Sequence, residues 1–144
     1  MLAGGVLAGC TLAGCTGDPA VRVAVPDGPG AGCGRLHDAL PDSLDGREAR
    51  DTEPASDRTA AWGDLPVVLR CGVPRPAGLA ADSELVEVDG VAWYLTPGAP
   101  PYVFTTVGRG TSVELTVPSS VPRAGATAPL VDLAPAVLEA FPEG

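Results

Sequence analysis

Lysine and isoleucine are absent from this 144-residue sequence, which also has a single histidine and six aromatic residues. Without lysine, nine arginines face eighteen aspartates and glutamates, for a formal net charge of −9. Such a chain repels phosphate, which excludes sequence-independent nucleic-acid binding and disfavours docking on anionic lipid. Without isoleucine, valine, leucine and phenylalanine make up only about a quarter of the chain. This composition predicts one modest core with long loops.

Motifs of the common enzyme classes are also missing. The sequence has no GxSxG, HExxH, phosphate-binding loop, dinucleotide-binding fingerprint or CxxC. A serine or cysteine nucleophile would have to be paired with His37 as its base. We therefore expect no catalytic residue and a non-catalytic role. The alternative is a cell-envelope hydrolase that uses His37.

The sequence lacks an apolar run long enough to cross a membrane. Residues 2–14 are apolar or small apart from Cys10 and Thr11, which is too short for a transmembrane helix but suits the apolar region of a signal peptide. Residues 1–17 carry no charge, whereas a signal peptide opens with basic residues, so we expect a start further upstream or a truncated chain. The alternative is a buried apolar helix, which the glycines disfavour.

The tetrapeptide LAGC occurs twice, ending at Cys10 and at Cys15. Both copies look like the bacterial lipobox, whose cysteine becomes the acylated first residue of the mature protein. Acylation of Cys15 removes Cys10 with the signal and leaves an even pair of cysteines, whereas acylation of Cys10 leaves an odd thiol at Cys15. We predict a signal peptide over residues 1–15 and a lipid anchor on Cys15, with Cys10 as the alternative. The anchor places the protein on the outer face of the plasma membrane.

The remaining pair, Cys33 and Cys71, predicts a disulfide around 37 intervening residues. In an oxidising compartment such a loop closure contributes on the order of 3–4 kcal/mol. A metal site is the alternative, since Cys33 and His37 share a helix face and Cys71 could be a third ligand. No motif supplies a fourth ligand, so we expect neither metal nor cofactor.

Residues 16–32 are rich in proline and glycine and predict a flexible tether, although alternating valines also fit a short edge strand. Residues 33–144 are expected to form one domain. Apolar spacing predicts a helix over residues 33–40, with an extension through Leu44 by one turn as the alternative. A second amphipathic helix ends near Phe141. Either Asp132 is its N-cap, or the helix begins at Pro129 and is kinked.

Strands are predicted from alternating or continuous apolar runs bounded by turn residues. The predicted strands cover residues 47–52, 65–71, 84–88, 91–95, 102–107 and 111–117. Asp89-Gly90 predicts a two-residue hairpin, and Gly108-Arg109-Gly110 predicts a three-residue one. The pattern as a whole is α+β: an antiparallel sheet of four to six strands with an N-terminal and a C-terminal helix packed on one face.

One group of residues is a candidate for ligand binding because its members lie at strand ends and in stiff loops. The group consists of Trp62, Arg70, Arg75, Trp93 and Arg109. Guanidinium forks hold carboxylates or phosphates, and aromatic faces stack on sugars, so a shared patch would bind an anionic or saccharide-like ligand or a partner peptide. The alternative is structural, with the tryptophans in the core and the arginines paired with acids. A deep pocket lined by the three arginines would indicate a ligand sensor.

Several short motifs carry a resemblance to a known family. They are Cys33 with Leu40-Pro41, Ala61-Trp62-Gly63, residues 68–76 (VLRCGVPRP), Gly90-Val91 with Trp93, and residues 104–109 (FTTVGR). Together they resemble the actinobacterial domain-of-unknown-function family 3515, made of predicted secreted proteins or lipoproteins, over about residues 33–141. The resemblance implies an extracytoplasmic protein and leaves its function open. We expect its partner to be an unknown envelope protein or ligand. The family brings no assigned activity, cofactor or catalytic residue.

Overall fold

The structure is a computed structural model that describes residues 19–142. The predicted signal peptide and both candidate lipidation sites, Cys10 and Cys15, lie outside the described residues. The strands are β1 (Val21–Arg22), β2 (Ser43–Leu44), β3 (Arg47–Arg50), β4 (Thr52–Glu53), β5 (Thr59–Trp62), β6 (Val67–Val73), β7 (Val86–Val88), β8 (Val91–Leu95), β9 (Tyr102–Thr106) and β10 (Ser112–Val117). The helices are α1 (Cys33–Ala39) and α2 (Ala128–Ala140). In this part of the chain neither helix has the length and apolar character needed to cross a membrane.

An antiparallel sheet of eight strands, in the order β2-β3-β5-β6-β10-β9-β8-β7, forms most of the domain. Its central pair places Leu69 opposite Leu115 and Cys71 opposite Val113. The α+β class is confirmed, but the predicted count of four to six strands is too low. Leu44, predicted to extend the first helix, lies on β2, and β5 was not predicted because alanines are weak strand formers.

Both predicted hairpins are present. Val88 pairs with Val91 around Asp89 and Gly90, whose φ values of 47° and 88° meet the requirement of a type I′ turn. The second hairpin joins β9 to β10 through residues 107–111, so its loop is longer than the three residues predicted. The sequence therefore placed this half of the sheet correctly, because each hairpin carries a local turn signal.

The two helices are placed differently from the prediction. Helix α1 packs mainly against α2, and α2 contacts β2 at one edge of the sheet and β7 and β8 at the other. Eight strands span about 34 Å, whereas a helix of 13 residues is about 20 Å long. A sheet whose two edges both reach α2 must curl around it, so the helices do not lie side by side on a flat face.

Helix α2 begins at Ala128, with Pro129 in its first turn, so the prediction of Asp132 as N-cap is wrong. Asp132 lies inside the helix, and its carboxylate accepts a hydrogen bond from the backbone N of Asp45 at 2.7 Å. Pro135 is tolerated in the helix interior because it is exposed, where water can bind the carbonyl that loses its N–H partner.

The core lies between the curled sheet and the helices. Its largest fully buried side chains include Trp62, Trp93 and Phe104. The predicted disulfide between Cys33 and Cys71 is confirmed, and it joins α1 to β6 with both cysteines at most 1% exposed. A seven-residue helix is unstable alone, so this bond holds α1 in place.

Residues 19–32, which we call the strap, belong to the predicted flexible tether. The structure shows this segment extended but bound to the domain. β1 pairs in parallel with β4, with Val21 opposite Thr52, and Val23 is buried. The strap therefore forms a small two-stranded sheet with β4 and does not hang free of the domain.

Candidate functional site

The two tryptophans of the predicted ligand group are core residues. Trp62 and Trp93 are 1% and 0% exposed. Nε1 of Trp62 donates a hydrogen bond to the carbonyl of Pro41 at 3.0 Å. Neither indole presents a face on which a sugar could stack.

The three arginines of that group contact three different segments of the chain. Nε of Arg70 donates to the carbonyl of Ala24 at 2.9 Å, and its guanidinium pairs with Glu114 at 3.3 Å. Arg109 donates to the carbonyls of Gly90 and Phe141, and so fixes the end of α2 to the β7–β8 turn. Arg75 is exposed. The structure does not bring the five predicted residues together.

Three arginines instead hold the strap on the domain. Each donates from its guanidinium to backbone carbonyls of the strap. The pairs are Arg50 with Pro19, Arg58 with Pro26 and Gly28, and Arg70 with Ala24. Arg50 also donates to the carbonyl of Gly63 at 3.0 Å, which ties the strap to the end of β5.

The composition of the strap explains this arrangement. Only two of its residues pair as a strand, and its prolines supply no N–H, so most of its carbonyls have no ladder partner. A guanidinium carries five N–H donors and can satisfy several carbonyls at once. The roles of Arg50 and Arg58 were not predicted, because a segment dense in proline and glycine was interpreted only as flexible. The available signal was that the strap has more hydrogen-bond acceptors than donors on its backbone.

A cavity of about 670 Å³ lies beside the strap contacts. Its lining includes His37 of α1, Ser56, Asp51 and Asp57. Ser56 Oγ accepts a hydrogen bond from the backbone N of Arg58 at 3.1 Å. Within residues 19–142 no hydrogen bond reaches the imidazole of His37, so the cavity gathers acid–base groups without a formed relay.

The alternative of a metal site on Cys33, His37 and Cys71 is wrong, because the two sulfur atoms are bonded to each other. Across the described part of the chain, no group of three or more histidine, cysteine, aspartate or glutamate side chains could hold a metal ion.

Two further cavities flank Tyr94, and we call them together the Tyr94 groove. They measure about 270 and 580 Å³ and share Gly78, Tyr94 and Pro97 in their walls. Pro74 and Pro76 line the smaller cavity, and Leu85, Val86 and Arg123 are among the residues of the larger one. The groove follows from strand alternation, since Trp93 points into the core and the next residue must point the other way.

Comparison with known proteins gives a family but no characterised relative. A family model described as "Protein of unknown function (DUF3515)" matches residues 1–144, the whole chain. No curated protein matches the sequence, and no solved structure matches it.

Proposed function

Because the chain belongs to the DUF3515 family, whose function is unknown, we propose its role from its own residues: an extracytoplasmic, lipid-anchored cell-envelope protein that acts by binding. The observation that carries this proposal is the disulfide between Cys33 and Cys71. Structural disulfides persist in oxidising compartments outside the cytoplasm and are rare inside it.

The sequence before the strap supports the same location. An uncharged apolar segment that ends in LAGC at Cys15 has the features of a lipoprotein signal. Cys33 and Cys71 are consumed by the disulfide, so acylation of Cys15 would leave no free cysteine in the mature chain.

The bound strap determines how far the domain stands from its anchor. Three residues separate Cys15 from Pro19, whose carbonyl is held by Arg50. A fully extended chain spans at most about 3.6 Å per residue, so Pro19 lies within about 14 Å of the lipid-bearing cysteine. The domain therefore stands close to the membrane surface.

Binding is favoured over catalysis by how the polar groups are used. Arg58, Arg70 and Arg109 donate to carbonyls of their own chain, and His37 has no hydrogen-bonded nucleophile in the described residues. A scaffolding or binding module needs only a formed surface, and the Tyr94 groove offers one.

The anchor is tested by substituting each candidate cysteine in the host. We expect Cys15→Ala to abolish incorporation of labelled palmitate and to move the protein from the membrane to the soluble fraction. Cys10→Ala, the matched control, should keep both the label and the membrane association. Full palmitate labelling of Cys15→Ala would contradict the assignment of the anchor.

A hydrolase is the second candidate, favoured by the meeting of His37, Ser56 and two carboxylates in one cavity. Its test is the rate at which the purified chain cleaves a chromogenic ester. A hydrolase would lose about 100-fold or more in His37→Ala, because a general base contributes that much. Asp38→Ala, an exposed neighbour on α1, is the control. Equal rates in the two variants reject the hydrolase.

A further inference from the structure

We propose that the open edge of β7 binds an extended segment of a partner protein in which apolar residues alternate with lysine or arginine. The inference rests on the proposed binding function and names its partner class. It concerns residues 84–89, which form and border the last strand of the sheet.

The backbone of β7 has unused hydrogen-bonding groups along this edge. Val88 and Val91 flank a two-residue turn, so Val88 and Val86 direct their N–H and C=O groups toward β8. Glu87, opposite Ala92, then directs its groups away from the sheet. The carbonyl of Ala92 agrees with this register, since it accepts from Val107 on the β9 side at 3.0 Å. An added strand would pair with these free groups.

The side chains beside the edge differ on its two faces. On the helix side Val86 and Val88 are half-buried. Leu138 of α2 is 38% exposed there and lies 3.9 Å from where a Cβ on Gly90 would be. On the other side Glu87 and Leu85 are exposed. Because side chains alternate along a strand, the occupant must present apolar residues to one face and residues that suit Glu87 to the other.

The charge around the edge determines which residues suit Glu87. Residues 76–108 contain four acids and no arginine, lysine or histidine. The acids are Asp82, Glu84, Glu87 and Asp89, all exposed, and none forms an ion pair within residues 19–142.

Two arginines approach only the ends of this edge. Arg109 is bonded to the carbonyl of Gly90 at the turn, and Arg123 lines the larger cavity near Leu85. The middle of the β7 edge therefore favours a cationic side chain of the occupant.

A second copy of this chain does not suit the same edge. Antiparallel pairing of two β7 strands would bring their acidic side chains together, and like charges opposite one another destabilise a sheet. The larger cavity of the Tyr94 groove opens at the Leu85 end of the edge, where it can take a terminal side chain of the occupant.

The test uses the purified full chain and a fluorescein-labelled heptapeptide of alternating valine and lysine, with binding followed by fluorescence polarisation. Glu87→Pro removes the outward N–H without removing a ladder bond, and Glu87→Ala keeps that N–H but loses the charge. We expect the dissociation constant to rise at least tenfold in Glu87→Pro and about threefold in Glu87→Ala. Glu48→Ala, an exposed acid on β3 near the opposite edge, should change nothing.

A charge reversal keeps the test decisive if proline disturbs folding. The unsubstituted chain should prefer the valine–lysine heptapeptide to a second heptapeptide of alternating valine and glutamate, and Glu87→Arg should reduce that preference at least tenfold. Hydrogen exchange adds a direct readout, since the lysine peptide should slow exchange of the Glu87 amide.

Three results would overturn the inference: equal binding of both peptides, unchanged binding in Glu87→Pro, or self-association through β7 in sedimentation. The assay involves no membrane, so its failure is distinguishable from a failure of the Cys15 anchor.

Discussion

At the residue scale, two glycines allow the strap to cross the sheet closely. Gly72 in β6 has a φ of 92°, and a Cβ added there would lie 3.0 Å from the carbonyl oxygen of Pro29. A Cβ on Gly28 would lie 2.7 Å from the carbonyl oxygen of Gly72. Backbone packs directly on backbone at this crossing, so a side chain at either position would push the strap away.

We predict that Gly72→Ala lowers the free energy of unfolding by about 2–4 kcal/mol, because a left-handed conformation and a backbone clash act together. Gly108→Ala is the matched control, with a φ of 77° but open space around it. It should lower the free energy by only about 1–2 kcal/mol. Urea unfolding measures both. Equal losses of unfolding free energy in the two variants would show that the close crossing of the strap over β6 does not contribute to stability.

At the element scale, the strap is held by side chains more than by its own strand pairing. β1 contributes two residues to a parallel pair, whereas Arg50, Arg58 and Arg70 bind the carbonyls around it. Hydrogen bonds from a charged donor contribute about 1.5–3 kcal/mol each when well formed. Stability of the strap should therefore depend on individual arginines.

We predict that Arg58→Ala makes the strap open more often while the sheet stays folded. Arg22 is exposed within the strap and provides a trypsin cleavage site. Cleavage after Arg22 should become roughly tenfold faster in Arg58→Ala, since loss of about 1.4 kcal/mol raises the open population tenfold. Arg123→Ala, which removes an exposed arginine outside the strap contacts, should leave the rate unchanged. An unaltered rate in Arg58→Ala would show that the guanidinium does not hold the strap.

At the scale of the whole molecule, the fold is a curled sheet closed by α2 and linked to α1 by one disulfide. The bond joins residues 38 apart in sequence and links the end of the strap to the central strand β6. Both cysteines are buried, so their redox state must be assayed by alkylation after unfolding without reductant.

We predict that replacing both Cys33 and Cys71 by alanine lowers the free energy of unfolding by about 3–4 kcal/mol, because the unfolded chain loses its largest constraint. Guanidinium unfolding measures the change. Dithiothreitol should destabilise the unsubstituted chain by a similar amount and leave the double variant unaffected. Free thiols at both positions in the folded protein isolated from its host would contradict the disulfide and the proposed location together.

The sequence predicted the parts of the fold that carry local signals. Asp89-Gly90 marks a hairpin because of its φ requirement, and cysteine parity indicated the pairing of Cys33 with Cys71. It did not predict β5 or the contacts of Arg58, since alanine-rich strands and guanidinium–carbonyl bonds leave no periodic pattern. Trp62 and Trp93 were candidates for ligand binding because residue type alone does not distinguish a stacking platform from a core residue.

A mechanical consequence follows from the attachment of the strap. Tension applied before Pro19 would load the arginine–carbonyl contacts one after another, so they would peel in turn. Peeling would stop at Cys33, where the disulfide passes the load to the central strand β6. The strap, once released, would span up to about 50 Å. The distance between Pro19 and the domain would thus be short at rest and long under force.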